Sequence, residues 1–393
     1  MKSEWIETDD ALIELCTHLR SQPWVAVDTE FHRESTYYAQ LALVQIASLE
    51  RIACIDPLAG ISLRPLGEIL NDHSVLKVFH ASRQDLEIFL EGTGALPYPV
   101  FDTQIAASLL GLGDQLGYGA LVELVTGKQL DKLHSRTDWM RRPLDLAVIE
   151  YAAADVVHLR DVYEYLETQL RSLGRREWLD EEQAHLLREE TFRIPEEQAW
   201  TRVKGAQRLR GVECVVARNL AAWRERMARE SDRPRRRVLS DDAIIDLARQ
   251  QPTKVEAMAR MRSLDEGTRT RHGRELEHCI REGTNSPSSS WPDPLDRGPG
   301  RPIDPALIDA LSAVLQVSAK EANISTTVLA SRSDLEQVAR GIETVPLLTG
   351  WRERLAGHQI RRFFAGELAL DVVDKQLRVR EASSSPESKT RTI

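Results

Sequence analysis

A chain of 393 residues, 42% hydrophobic and 29% charged, exceeds one ordinary domain and carries enough apolar content for several cores. No apolar run approaches the ~20 residues that span a bilayer, and the polar, acidic residues 1–10 lack the apolar stretch of a secretory signal. Cys16, Cys54, Cys214 and Cys279 lie far apart with no CxxC pair, which argues against a disulfide framework and structural zinc and makes a reducing cytoplasm the expected home.

The net charge of -9 is unevenly spread. Residues 1–190 carry 17 Lys and Arg against 32 Asp and Glu; residues 191–282 carry 21 against 15; the remainder carry 14 of each. An acidic segment beside a basic one suggests cation-dependent chemistry in the first and contact with a polyanion in the second. Charges that merely coat solvated faces would give the same pattern.

In chain order, apolar runs at 24–31, 41–47 and 51–56 are separated by short polar connections, which suits adjacent antiparallel strands. A helix over 63–70, a strand over 75–80, a helix over 84–90, a strand over 100–102 and a helix over 103–110 follow. Residues 143–173 are strongly helical in their three- and four-residue spacing. The expected product is an α/β domain over 1–190 with a five-stranded mixed sheet. Beyond it the strand signal stops. Residues 195–282 hold amphipathic helices at 206–230 and 241–249, residues 283–303 form a Ser-, Pro- and Gly-rich linker, and a second helical unit covers 304–373. The tail 374–393 has too little apolar content to fold and is expected to be disordered.

Four acids and a tyrosine carry the chemical signal. Asp28 and Glu30 lie two apart on an apolar strand, so both carboxylates leave one face. Asp85 falls in the first turn of a helix, where the macrodipole alone explains an acid. Tyr151 and Asp155 are four apart on a helix and share a face. Carboxylates gathered together repel one another unless a cation compensates them, and hard divalent ions prefer oxygen ligands. His80 is expected to be a structural hydrogen-bonding residue, and Asp102 a helix N-cap. Tyr37, Tyr38 and Gln45 either line the entry to the site or pack the sheet, with packing the expectation, while Asp138 and Trp139 are candidates for holding a terminal nucleotide.

Taken with their surroundings, these residues resemble the tyrosine-containing branch of the Asp-Glu-Asp-Asp exonucleases, and within it ribonuclease D. The resemblance is carried by Val27-Asp28-Thr29-Glu30-Phe31 and its continuation through Ile46, by Leu130-Asp131-Lys132 with Arg136-Thr137-Asp138-Trp139 and Arg142-Pro143-Leu144, and by Glu150-Tyr151-Ala152-Ala153-Ala154-Asp155. The segments 220–226 and 241–248 resemble the HRDC module. The family implies a ribonuclease H-like exonuclease domain followed by two all-α HRDC-like domains, acting as a monomer and without a membrane.

The implied activity is 3′→5′ hydrolysis of RNA that trims tRNA precursors and other small structured RNAs, with release of nucleoside 5′-monophosphates. Two Mg²⁺ ions, or Mn²⁺, about 4 Å apart would clamp the scissile phosphate. By the same resemblance Asp28, Glu30 and Asp155 hold one ion, Asp28 and Asp85 the other, and Tyr151 orients the attacking water. The basic cluster Arg226, Arg229, Arg235, Arg236 and Arg237 is expected to grip RNA phosphates, with Trp223 either a stacking platform or a core residue. A DNA exonuclease and an inactive RNA-binding scaffold are the competing readings. The chain holds no G-x-x-x-x-G-K-[ST] phosphate loop of a linked motor, and all four acids are present, which disfavours both.

Overall fold

The computed structural model describes residues 3–130, 137–292, 295 and 303–382. Its first layer is a mixed sheet of six strands: β1 (Glu4–Ile6), β2 (Trp24–His32), β3 (Gln40–Ala47), β4 (Ile52–Ile55), β5 (Leu76–Phe79) and β6 (Val100–Asp102), in the order β1-β4-β3-β2-β5-β6. β2, β3 and β4 form the expected antiparallel meander, and β5 and β6 join it in parallel. The sixth strand corrects the five read from the sequence. β1 has three residues and pairs in parallel with the β4 edge, too short to show a two-residue period.

Helices cover both faces. α1 (Asp9–Leu19), α2 (Arg64–Leu70) and α3 (Arg83–Thr93) pack on one side, over Val25, Val27, Val44 and Ile46. On the other side α4 (Thr103–Leu109), α5 (Tyr118–Thr126), the long α6 (Leu146–Ser172) and α7 (Arg176–Leu186) cover Trp24, Ala26 and Leu43. Alternation along β2 sends residues 24, 26, 28 and 30 toward α6 and residues 25, 27 and 29 toward α3.

The helical units attach in different ways. The first comprises α8 (Val212–Glu230), α9 (Arg235–Val238), α10 (Asp241–Gln250) and α11 (Glu266–Asn285) around a core of its own, which includes Trp200, Leu220, Trp223, Leu247 and Leu276. The second comprises α12 (Pro305–Glu321), α13 (Thr326–Leu329), α14 (Arg332–Ala339), α15 (Gly350–Arg352) and α16 (His358–Phe364), with a π-helical turn at Glu353–Gly357 before α16. Its apolar residues Leu311, Leu315, Leu347, Trp351 and Ile360 belong to the same buried cluster as the α6 side of the sheet. Trp351 stacks on Trp178 with centroids 4.6 Å apart. Arg175 donates to the carbonyls of Leu109 (2.8 Å) and Ala322 (2.5 Å), bridging the two parts.

Two stretches differ from the sequence expectation. A hairpin replaces the end of the expected helical unit and the start of the expected disordered tail: β7 (Leu368–Val373) falls in the former and β8 (Gln376–Glu381) in the latter. Asp374 and Lys375, both at positive φ, make its two-residue turn; the charged residues alternating with Leu377 and Val379 masked the strand. At the expected linker, α11 continues to Asn285 and Trp291 Nε1 donates to the Ser286 carbonyl at 3.2 Å. Linker residues 293–294 and 296–302, and tail residues 383–393, lie outside the described residues.

Candidate active site

β5 pairs with β2 only from Trp24 to Ala26. Past that point the β2 edge is open, and the turn after β5 brings the N-terminus of α3 into the gap. Thr29, on the α3 face, donates from Oγ1 to Asp85 Oδ1 at 2.5 Å. Asp28 and Glu30, on the opposite face, look toward α6, which packs across β2 and β3 and carries Tyr151 and Asp155 one turn apart. Acids from three elements thus meet at one strand end.

Their electrostatics record the convergence. Burial pushes Glu30 up to about 8, and Asp28, Asp155 and Asp85 each repel its charge further. Burial raises Asp155 to about 7, with Asp28 adding to the shift. Asp28 rises to about 6 through burial, moderated by a hydrogen bond from the Thr29 backbone. Asp85 is held well above the usual carboxylate range by burial and then by Asp28, although the Thr29 hydroxyl opposes this. None of the four is in an ion pair among the described residues. That donor set, oxygen-rich and short of positive charge, suits hard divalent cations. Among the described residues no three His, Cys, Asp or Glu side chains already enclose a common point; the site is an electrostatic convergence and not a closed cage.

Two supporting residues escaped the sequence reading, and a third, Asp102, has a second role that the sequence did not show. Thr29 was only the spacer between two acids. Tyr118 lies close enough to Asp155 and Asp28 for both to raise its phenol, after burial, well above its ordinary value, and its hydroxyl donates to the Ala154 carbonyl at 3.3 Å. Asp102 caps α4 as expected, accepting from Gln104 N (2.9 Å) and Ile105 N (3.2 Å). It also accepts from Ser82 N (2.8 Å), Ser82 Oγ (2.7 Å) and Ala81 N (3.3 Å), and so fixes the turn that delivers Asp85. No local pattern announces that second role, because its partners lie about twenty residues upstream.

Other candidates separate. His80 Nδ1 pairs with Thr103 Oγ1 at 2.9 Å, a structural contact. Gln45 is buried beside Asp28 in the register of β2 and β3. Trp139 belongs to the core, and Asp138 accepts from Met140 N at 3.1 Å. The motif residues 131–136 lie outside the described residues. Tyr37 does not pack the sheet: its hydroxyl donates to Glu225 Oε1 at 2.5 Å and accepts from Arg235 (2.9 Å) and Arg229 (3.1 Å). Those two arginines are therefore committed to a bridge between domains. Arg226 pairs with Glu196 at 3.3 Å and Arg236 with Asp241 at 3.5 Å, each still exposed, and Arg237 is exposed. Trp223 is a core residue, 4% exposed, which removes it as a stacking platform.

The 3′–5′ exonuclease family matches residues 3–171, and the HRDC domain matches residues 214–280. Ribonuclease D of Granulibacter bethesdensis is 40% identical over 378 residues, covering 95% of each chain. Ribonuclease D of Jannaschia sp. is 41% identical over 383 residues, covering 96% of this chain and 99% of the relative. The chain belongs to the ribonuclease D family. It is a 3′–5′ exoribonuclease. The crystal structure of Escherichia coli RNase D, described as an exoribonuclease involved in structured RNA processing, superposes with a TM-score of 0.85 at 33% identity, covering 93% of this chain and 99% of that one. The ribonuclease D assignment agrees with the sequence resemblance and with the mixed sheet followed by helical domains. Among the described residues no helix is long and apolar enough to cross a membrane.

Proposed function

We propose that this exoribonuclease trims the 3′ ends of tRNA precursors and other small structured RNAs, releasing nucleoside 5′-monophosphates, with Asp28, Glu30, Asp85 and Asp155 holding two divalent ions, Mg²⁺ or Mn²⁺. The observation that carries the reading is the convergence of four buried carboxylates whose proton affinity is raised by burial and, for Glu30, Asp85 and Asp155, by one another's charge, with no cationic partner among the described residues. When bound, such ions supply Lewis-acid stabilisation of the phosphate and activation of water. Asp28 and Glu30 hold a fixed spacing because they share a strand face. Asp85 is kept in register by Thr29 and by the turn that Asp102 anchors. Tyr151, one turn before Asp155 on the same helix face, is the residue proposed to orient the attacking water.

Support for structured substrates comes from the description of the Escherichia coli relative. Exposed Arg226, Arg236 and Arg237 are proposed RNA contacts, and we assign the protein to the cytoplasm as a monomer. The deciding experiment is degradation of 3′- and 5′-end-labelled RNA and DNA oligomers, including a tRNA with a 3′ extension, with and without Mg²⁺. Stepwise loss from the 3′ end of RNA only with the ion is the expected result. Metal-independent cleavage, or equal trimming of an unstructured control and the tRNA, would count against it.

A further inference from the structure

A cavity of about 560 Å³ opens between the exonuclease domain and the first helical domain. Six arginines line it: Arg33, Arg83, Arg193, Arg202, Arg229 and Arg235. Four are neutralised locally. Arg33 pairs with Glu87 (2.7 Å), Arg193 with Glu189 (2.6 Å), Arg235 with Glu225 (2.5 Å), and Arg229 with Glu225 (3.4 Å). The other two are not. Arg202 is exposed and in no ion pair among the described residues. Arg83, also exposed, reaches only the Thr191 carbonyl at 3.4 Å and the Phe192 ring, 5.9 Å from its centroid. Partial burial, and then Arg235 and Arg83, weaken the hold of Arg202 on its proton, while Glu225 and Glu87 oppose the shift.

The chain ties this cleft to the catalytic carboxylates. Arg33 follows Glu30 by three residues, roughly 10 Å along an extended path. Arg83 precedes Asp85 by two residues in the first turn of α3. A strand whose 3′ end reaches the carboxylates therefore has a basic channel at their side. Tyr38 and Phe192 stand in the same wall, and aromatic faces beside guanidinium groups are what single-stranded RNA stacks and pairs against.

We propose that this interdomain cleft is a phosphate-binding site for the single-stranded RNA upstream of the scissile bond, with Arg83 and Arg202 as its anion ligands. The paired arginines hold the walls apart and the two unpaired ones take the phosphate, since a bidentate guanidinium contact needs a fork not already filled. The inference rests on the reading that the carboxylates act on the 3′ end.

The test uses the full chain with Arg83→Ala, Arg202→Ala and the double substitution, each checked for an unchanged melt. Binding of a fluorescent single-stranded RNA 12-mer is followed by anisotropy in EDTA, so that no hydrolysis intervenes. The double variant should bind about tenfold more weakly, and its slope of log affinity against log salt should shrink by roughly 1.4, or about 0.7 per lost phosphate contact on a single strand. In Mg²⁺, the ratio of kcat/KM on the 12-mer to that on a dinucleotide should fall by a similar factor. Replacing both residues by lysine should restore the salt slope. An unchanged slope and an unchanged length ratio in a folded double variant would overturn the proposal. So would 12-mer binding that is unaffected while competition by 5′-AMP is lost, because the cleft would then take the product nucleotide. Failure of the carboxylate reading would appear separately, as full 12-mer hydrolysis by Asp155→Ala.

Discussion

Thr29 shows how much one side chain can organise. It faces away from Asp28 and Glu30, yet its hydroxyl is what reaches Asp85. Thr29→Val keeps the strand and the volume and removes that bond. A net loss of about 1–1.5 kcal/mol in positioning should lower kcat about tenfold while the melting temperature moves little. Equal turnover by the valine variant would show that Asp85 needs no such anchor. Removing a carboxylate should be more severe. Asp28→Asn or Asp155→Asn should fold normally and lose about a thousandfold or more in the end-labelled RNA assay, since several kcal/mol of charge stabilisation go with the ion.

The same acids set a pH dependence. Without metal, their protons are held more tightly in the folded chain than in the unfolded one, where carboxyls titrate near 4. Their contribution to stability is therefore full below that value and is lost as pH rises through about 6 for Asp28, 7 for Asp155 and 8 for Glu30. In EDTA, the melting temperature of Asp28→Asn relative to the parent should rise from pH 5 to pH 8, and added Mg²⁺ should erase the difference by stabilising only the parent. A difference that is flat with pH would show that the acids do not repel one another.

Elements place these residues through their ends. The site exists because β5 stops at Phe79 while β2 runs on to His32, leaving an edge that α3 fills. Asp102 governs that filling from two directions, capping α4 and holding the Ala81–Ser82 turn. Asp102→Ala should cost about 2–4 kcal/mol by stranding several buried donors, and it should impair turnover in the fraction that remains folded. A loss no larger than that of a single exposed cap, as read from urea unfolding, would mean the turn holds itself. The brevity of β1 and the exposed, charge-interrupted hairpin of β7 and β8 hid three strands from periodicity, whereas the long apolar runs of β2 and β3 were plain.

At the scale of the whole molecule, the two helical units differ in how they are joined to the exonuclease domain. The first keeps its own core and meets that domain through Tyr37, Glu225, Arg229, Arg235 and Asp232. The second shares the apolar core of the sheet's α6 side, with Trp351 stacked on Trp178 and Arg352 paired with Glu182. Trp351→Ala should cost about 3–5 kcal/mol and lower the unfolding transition of the exonuclease domain with it. Tyr37→Phe should cost about 1–2 kcal/mol and loosen only the first unit, detectable as faster amide exchange in α8 and α9. A separate early transition of the second unit in Trp351→Ala would contradict a shared core.

The amino-acid order by itself determined the strand-borne acid pair, the helix-borne tyrosine and aspartate, the meander, and the family to which they point. Each of these is local, written in two- and four-residue periods that hydrophobic burial enforces. Which arginines remain exposed was beyond such reading. Arg229 and Arg235 look identical in sequence to their exposed neighbours until Tyr37 arrives from elsewhere in the fold to bridge them and Glu225. Asp102 looked like a cap and nothing more until Ser82 came within reach. Hydrogen bonds and ion pairs depend on partners brought close by folding, so their allocation belongs to three dimensions, while the burial pattern that makes folding possible is already present in one.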